Sequence, residues 1–320
     1  MLINLSILII SIIVLIASAE RLIYGATGIA AHFNWSPFMV GITLVALGTS
    51  APEIMFAISA ASQGYTEMAV GNAIGSNIAN IGLILGLSAL LKPITLKHGI
   101  IRREYPLLFI IMLFTYLLII DGYLGVIDGS LLIIAFIATL VFIVYRERNS
   151  SIHSRMVQKQ HQALVKTHRQ WFYFLSFIIG LVLLAISAHY LVISAANLAH
   201  ILGVSPLVIG LTIIAIGTSI PELATSLIAS YKGHDDIAIA NILGSNIFNL
   251  VAVMSFPGII RPAHLSNTVL WRDIPVMFVI TMVLLSMNWF NQKHLSRWQG
   301  MFLLIIYFAY IMGLVIDAIM

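Results

Sequence analysis

Residues 48–53 read Gly-Thr-Ser-Ala-Pro-Glu, and residues 217–222 read Gly-Thr-Ser-Ile-Pro-Glu. The two hexapeptides stand 169 residues apart, and the same offset holds on either side of them without a gap. Ser36-Pro37 falls on Ser205-Pro206, Gly75-Ser76-Asn77-Ile78 on Gly244-Ser245-Asn246-Ile247, Asn80 on Asn249 and Pro93 on Pro262. Between 37–80 and 206–249, 18 of 44 positions are identical, so the chain is built from two copies of one unit. The shared positions are mostly Gly, Pro, Ser, Thr, Asn and Glu, set in stretches of Ile, Leu, Val and Ala. A repeat kept only for packing would keep its apolar residues; this one keeps polar ones.

Composition places those stretches. Of the residues 60% are hydrophobic and 9% charged, with a mean hydropathy of +1.04, whereas soluble domains carry about 25% charged residues. Such a chain cannot cover itself with polar surface, so its outer solvent is lipid. The absence of Cys excludes disulfides and thiolate metal sites. The apolar run from Met1 to Ala19 has no basic leader and reads as a first transmembrane helix rather than a cleaved signal.

A helix crossing the bilayer needs roughly 20 largely apolar residues. Ten segments qualify, near 5–28, 36–61, 67–91, 105–121, 125–145, 171–195, 205–230, 236–258, 274–290 and 299–317. The expected fold is an all-α integral membrane protein. Its first five-helix repeat covers 1–145 with its motif at 36–80, and its second covers 171–320 with its motif at 205–249. The polar stretch 146–170, holding Arg146, Arg148, Arg155, Lys159, Lys166 and Arg169, is the linker between them.

Lys and Arg collect on the cytoplasmic side of membrane proteins. Thirteen of the 16 basic residues lie after segments 1, 3, 5, 7 and 9, and only Arg261 and Arg272 lie on the other side. The linker is therefore expected inside and both termini outside. The net charge of +4 is explained by this bias and calls for no nucleic-acid partner. Five helices per copy is an odd number, so the second copy enters the membrane inverted, a plan that recurs in transporters with the substrate near the midplane.

Glu53 and Glu222 fall mid-segment, where a charge is costly and points to function. Thr49 and Ser50 precede Glu53 by four and three residues on nearly one helical face, as Thr218 and Ser219 precede Glu222. Pro52 and Pro221 lack an amide hydrogen and oppose the carbonyls of Gly48 and Gly217, so each helix should bend and release carbonyl oxygens. Ser76 and Asn80, and again Ser245 and Asn249, form pairs four residues apart on the following helix. Carboxylate, hydroxyl, amide and carbonyl oxygens without sulfur or imidazole select a hard cation such as Ca²⁺ or Na⁺. His189 reads as a core or interfacial polar residue. Gly71 to Gly75 and Gly82 to Gly86 read as close-packing pairs, and Arg103-Glu104 and Arg272-Asp273 as interfacial anchors. Ser50 and Ser219 have no His or Asp partner, so intramembrane hydrolysis is not expected, nor is any other enzyme activity. A gated channel fits the same oxygens, but Pro-broken helices in inverted copies favour a carrier.

The two hexapeptides, each followed by Gly-Ser-Asn-Ile-x-Asn, closely resemble the two repeats of the sodium/calcium exchanger (cation/Ca²⁺ antiporter) family of prokaryotic type, over nearly all of the chain. That resemblance implies ten helices, of which the second, third, seventh and eighth line a central set of cation sites. It implies as ligands the carboxylates of Glu53 and Glu222, and the hydroxyls of Ser50, Ser76, Ser219 and Ser245. The carbonyls of Ala46, Thr49, Ala215 and Thr218 and the side chains of Asn80 and Asn249 complete the implied set. Some relatives carry Asp at one of the two central Asn positions; here both are neutral. The short linker leaves no room for a large regulatory domain. The implied activity is alternating-access exchange of Na⁺ for Ca²⁺ across a prokaryotic inner membrane. The ions are cargo, no cofactor is implied, and no protein partner is evident beside the lipid bilayer. Exchange of Ca²⁺, or another hard divalent ion, against H⁺ is the competing expectation.

Overall fold

Ser36 caps the second membrane segment. Its Oγ accepts from the Met39 amide at 3.0 Å, and Pro37 takes the first helical turn, where a missing N–H costs nothing. Fifteen residues on, Pro52 forces the break the sequence predicts. The helix stops at Thr49, Ser50 takes φ −83° and ψ 3°, and a new helix runs Ala51–Ser62. The second copy does the same at Ser219, with φ −89° and ψ 4°, before the helix Ile220–Tyr231.

The computed structural model describes residues 1–33, 35–95, 98–148, 170–203, 215–290 and 294–319. Asn34, residues 149–169 of the linker and residues 204–214, with Ser205 and Pro206, lie outside the described residues. The helices are α1 Leu2–His32, α2 Pro37–Ser62, α3 Thr66–Leu91, α4 His98–Ile119, α5 Val126–Arg148 and α6 Gln170–Ile201. After a short turn at Ala215–Gly217 come α7 Ile220–Tyr231, α8 Asp235–Ile260, α9 Val269–Met287 and α10 Arg297–Ile319. Eight of the described helices are long and apolar enough to cross a membrane, and Glu104–Ile119 is a shorter apolar helix. The seventh expected segment is described only from Ala215 onward. Two features were not expected. Two-residue strands pair antiparallel, β1 Ile94–Thr95 with β4 His294–Leu295 and β2 Tyr123–Leu124 with β3 Ala263–His264. Wide π turns interrupt α3 at Asn80–Leu85 and α8 at Asn249–Val253.

Burial orders the layers. The apolar window of α8 is 100% buried and that of α3 72%, against 22% for α1 and α5 and 17% for α10. The centre is therefore α3 and α8, flanked by the broken helices, while the outer helices present Ile13, Ile110, Ile127, Phe142, Phe172 and Phe308 outward. An apolar exterior of that extent is a lipid surface. Two buried apolar clusters form. One spans α2 to α5 with α8 to α10; the other joins α1 and α6 with Val40 and Val45 of α2, Ala224 of α7 and Ile237 of α8. A Cβ at Gly25 would stand 2.5 Å from the Phe177 nitrogen, and one at Gly180 2.5 Å from the Leu22 nitrogen, so α1 and α6 meet backbone to backbone. Gly82 and Gly86 likewise press on Tyr307 and on Gly300 and Leu304 of α10. Gly71 and Gly75 meet no described atom, so the close-packing reading holds for only one of the two pairs.

A buried oxygen cluster at two helix breaks

The half-helices of α2 and α7 start at Ser50 and Ser219, and each carries its Glu in the first turn, where the helix dipole favours a carboxylate. Glu53 and Glu222 are both 1% exposed. Ser50 Oγ donates to Glu222 Oε1 at 3.3 Å, and Ser219 Oγ donates to Ser76 Oγ at 3.2 Å, so α2, α3 and α7 meet at this point. A buried carboxylate without compensation is costly. Both oxygens of Glu53, Oε2 of Glu222, Oδ1 of Asn80, Oδ1 of Asn249 and Oγ of Ser245 are nonetheless buried without a hydrogen-bond partner. Those six oxygens all belong to residues singled out from the sequence. Native interiors rarely leave such atoms unpaired, so a group of them needs an occupant that accepts lone pairs.

The remaining expected residues have other roles. Thr49 Oγ1 donates to Asn241 Oδ1 at 3.1 Å and lies 3.3 Å from the Ala46 carbonyl, which also accepts the Ser50 amide at 3.0 Å. Thr218 Oγ1 donates to Asn72 Oδ1 at 3.2 Å. The two Thr hydroxyls therefore brace the breaks against the neighbouring helix and leave only their backbone carbonyls free for a ligand role. Ala215 lies in the described backbone, but no bond of its carbonyl is described.

Sequence reasoning missed four amides: Asn72, Asn77, Asn241 and Asn246. Asn241 Nδ2 donates to Ser226 Oγ at 3.0 Å; Asn80 Nδ2 donates to Asn246 Oδ1 at 2.9 Å and Asn249 Nδ2 to Asn77 Oδ1 at 3.1 Å. The signal was present, since both pairs recur at the 169-residue offset. The bonds recur too: Thr49 with Asn241 is mirrored by Thr218 with Asn72, and Asn80 with Asn246 by Asn249 with Asn77.

Other charged groups lie apart. His189 is exposed and packs on Tyr190 at 5.7 Å, so it is not a core residue. Glu104 pairs with Arg146, and Arg272 bonds Asp273 at 2.8 Å and Asp317 at 2.9 Å, linking α9 to α10. Among the described residues no group of three or more His, Cys, Asp or Glu could hold a metal ion. Two carboxylates with neutral amide and hydroxyl oxygens are a donor set for a hard cation, not for zinc or copper.

Known proteins share this architecture. The family profile described as sodium/calcium exchanger protein matches residues 3–145 and 172–316. Inner membrane protein YrbG of Escherichia coli is 34% identical over 305 residues, covering 95% of this chain and 94% of its own. Sodium/calcium exchanger MaX1 of Methanosarcina acetivorans is 31% identical over 348 residues, covering 98% of each. The structure of sodium-calcium exchanger NCX_Mj soaked with Na⁺ and Ca²⁺ superposes with a TM-score of 0.82 at 30% identity over 98% of each chain. An all-helical membrane protein matched nearly end to end by an exchanger profile, this chain belongs to the sodium/calcium exchanger family of antiporters.

Proposed function

We propose that the chain exchanges Na⁺ for Ca²⁺ by alternating access, with the ions bound between Glu53 and Glu222. The observation that carries this is the set of six unpartnered buried oxygens, three on Glu53 and Glu222 beside the helix breaks and three on Asn80, Asn249 and Ser245 of the central α3 and α8. Two carboxylates neutralise one Ca²⁺, and the same oxygens accept Na⁺ in its place, so the two ions compete for one cluster. The Asn80 and Asn249 oxygens, the Ser50, Ser76, Ser219 and Ser245 hydroxyls and the carbonyls of Thr49 and Thr218 complete the ligand set. Names of similar proteins point the same way, MaX1 and NCX_Mj both being described as sodium/calcium exchangers.

The reading includes ten spans in two inverted five-helix repeats, with both termini outside a prokaryotic inner membrane. Bonds between connections support it, because they join connections of like parity. Lys92, after α3, bonds the Ser230 carbonyl and pairs with Asp235, both flanking the α7–α8 turn. Thr66 and Glu67, after the α2–α3 turn, bond Arg261 and Ser266 of the α8–α9 connection. α1 and α6, which meet backbone to backbone, are the pair that would move against the rest.

Purified protein in liposomes tests the proposal. Uptake of radiolabelled Ca²⁺ should follow an outward Na⁺ gradient and proceed equally with K⁺ or choline as the other monovalent cation. The centre holds only two carboxylates, and a further bound cation beside Ca²⁺ would be costly away from water. Uptake driven by an outward H⁺ gradient and indifferent to Na⁺ would replace this reading with Ca²⁺/H⁺ exchange.

A further inference from the structure

Asn77 and Asn246 sit three residues before Asn80 and Asn249, are each 1% exposed, and have no place in the ligand set above. Each reaches across to the other copy. Asn77 Nδ2 donates to the backbone carbonyl of Asn246 at 3.1 Å and also lies 3.6 Å from Met277 Sδ. A backbone carbonyl only accepts, so the Asn77 amide must present its NH₂ there and its oxygen on the opposite side. That oxygen is what Asn249 Nδ2 meets at 3.1 Å. With its NH₂ held by Asn77, Asn249 directs Oδ1 the other way, and this oxygen is buried without a partner. On the other side Asn246 Oδ1 accepts from Asn80 Nδ2 at 2.9 Å and Asn80 Oδ1 is unpartnered, but Asn246 Nδ2 has no partner among the described residues, so the backbone anchor is described only for Asn77.

We infer that Asn77 is a positioning residue that holds the Asn249 carboxamide oxygen-inward, with Asn246 in the corresponding place beside Asn80, so that the transported cation meets carbonyl dipoles rather than NH₂ groups. A carboxamide is nearly symmetric in shape, so packing alone hardly distinguishes its two orientations. A flipped Asn would aim partial positive charge at the ion. The chain of bonds ends on a backbone carbonyl, which cannot flip, and that anchor carries the polarity inward to Asn249. This inference rests on the cation-site reading above and adds two residues to it.

A double-mutant cycle on KM for Ca²⁺ in Na⁺-driven liposome uptake, at alkaline pH, tests it. Asn77→Ala frees the Asn249 amide, and the expected rise in KM is about 10–100-fold, the usual effect of removing the partner that orients a metal ligand. Asn249→Asp offers two equivalent oxygens and needs no orientation, so in that background Asn77→Ala should change KM by no more than about twofold, the usual scatter between independent sites. Equal losses in both backgrounds would show that Asn77 only packs. An unchanged KM for Asn77→Ala alone would show that Asn249 is oriented without it. Either result overturns the inference for that pair, and the mirror cycle of Asn246→Ala with Asn80→Asp decides it if the Asn77 variant does not fold. Glu53→Gln measured alongside separates the two levels. Normal exchange in that variant removes the cation site itself, whereas a dead Glu53→Gln with an additive cycle removes only the positioning role.

Discussion

Replacing Glu53 by Gln keeps the shape of the side chain and removes one charge. Both Glu53 oxygens lack a protein partner, and the residue is 1% exposed, so neither a hydrogen bond nor water makes up for the change. At a Ca²⁺–oxygen distance of about 2.4 Å and an effective dielectric of about 20, one carboxylate attracts the ion by about 14 kcal/mol before desolvation. Most of that is offset by water lost from both groups, and removing one partner of a buried charge pair leaves a net cost of about 3–5 kcal/mol. Taking the lower figure, about 3 kcal/mol, Ca²⁺ affinity should fall at least about a hundredfold. Na⁺ carries half the charge, so its loss should be half as large in free energy, about tenfold in affinity. Glu53→Gln is therefore expected to abolish Ca²⁺ uptake at ordinary substrate levels and to shift the ratio of Ca²⁺ to Na⁺ affinity by about tenfold against Ca²⁺. Calorimetric titration of each ion into purified protein in detergent, with monodispersity checked, measures both. Equal losses for the two ions would refute the electrostatic argument, and unchanged Ca²⁺ binding would remove Glu53 from the site.

Two more predictions rest on other parts of the molecule. Cysteines placed at Gln63 and at Ser151 of this Cys-free chain should react with an impermeant maleimide from opposite faces of the membrane; reaction from the same face would break the inverted-repeat topology. Gly180→Ala should lower the thermal unfolding midpoint in detergent, because its Cβ would stand 2.5 Å from the Leu22 nitrogen and overpacking costs about 1–3 kcal/mol. Gly313→Ala, where no described atom outside the neighbouring helix backbone lies within 4 Å, should not lower the midpoint, and equal lowering by the two would refute the close α1–α6 contact.

Much of the site was legible before any coordinates because the repeat displays its polar residues against an apolar background. Glu53, Glu222, Asn80, Asn249 and Ser245 were all found that way, and each has at least one buried oxygen without a partner, as Ser88, Thr115 and Thr225 elsewhere also do. The helix breaks were legible for a local reason, since a proline inside a helix opposes a carbonyl four residues earlier whatever surrounds it. The roles of Asn72, Asn77, Asn241 and Asn246 were not legible. Their recurrence was visible, but each bonds a residue at least 146 positions away in the chain, and no local pattern encodes such a partner. The same holds for Thr49 and Thr218, whose hydroxyls the spacing places beside the Glu and the fold turns towards Asn241 and Asn72. Gly71 and Gly75 show the limit of spacing arguments, as the small-residue pattern is present and the described contact is not.

The two short strand pairs have a mechanical consequence. One ties the chain after α3 to the chain before α10, and the other ties the α4–α5 turn to the chain after α8. Each therefore staples one copy of the repeat to the other, and the two staples close connections of opposite parity. A body riveted at both ends cannot hinge open like a book, since splaying either end would tear backbone hydrogen bonds. The described residues of α1 and α6 contribute to neither staple. On the exchange reading proposed above, any movement of the pair would be translation along the riveted block, with the glycine contacts carrying the two together. On that reading, access to Glu53 and Glu222 would change by a sliding shutter, with the riveted block itself nearly still.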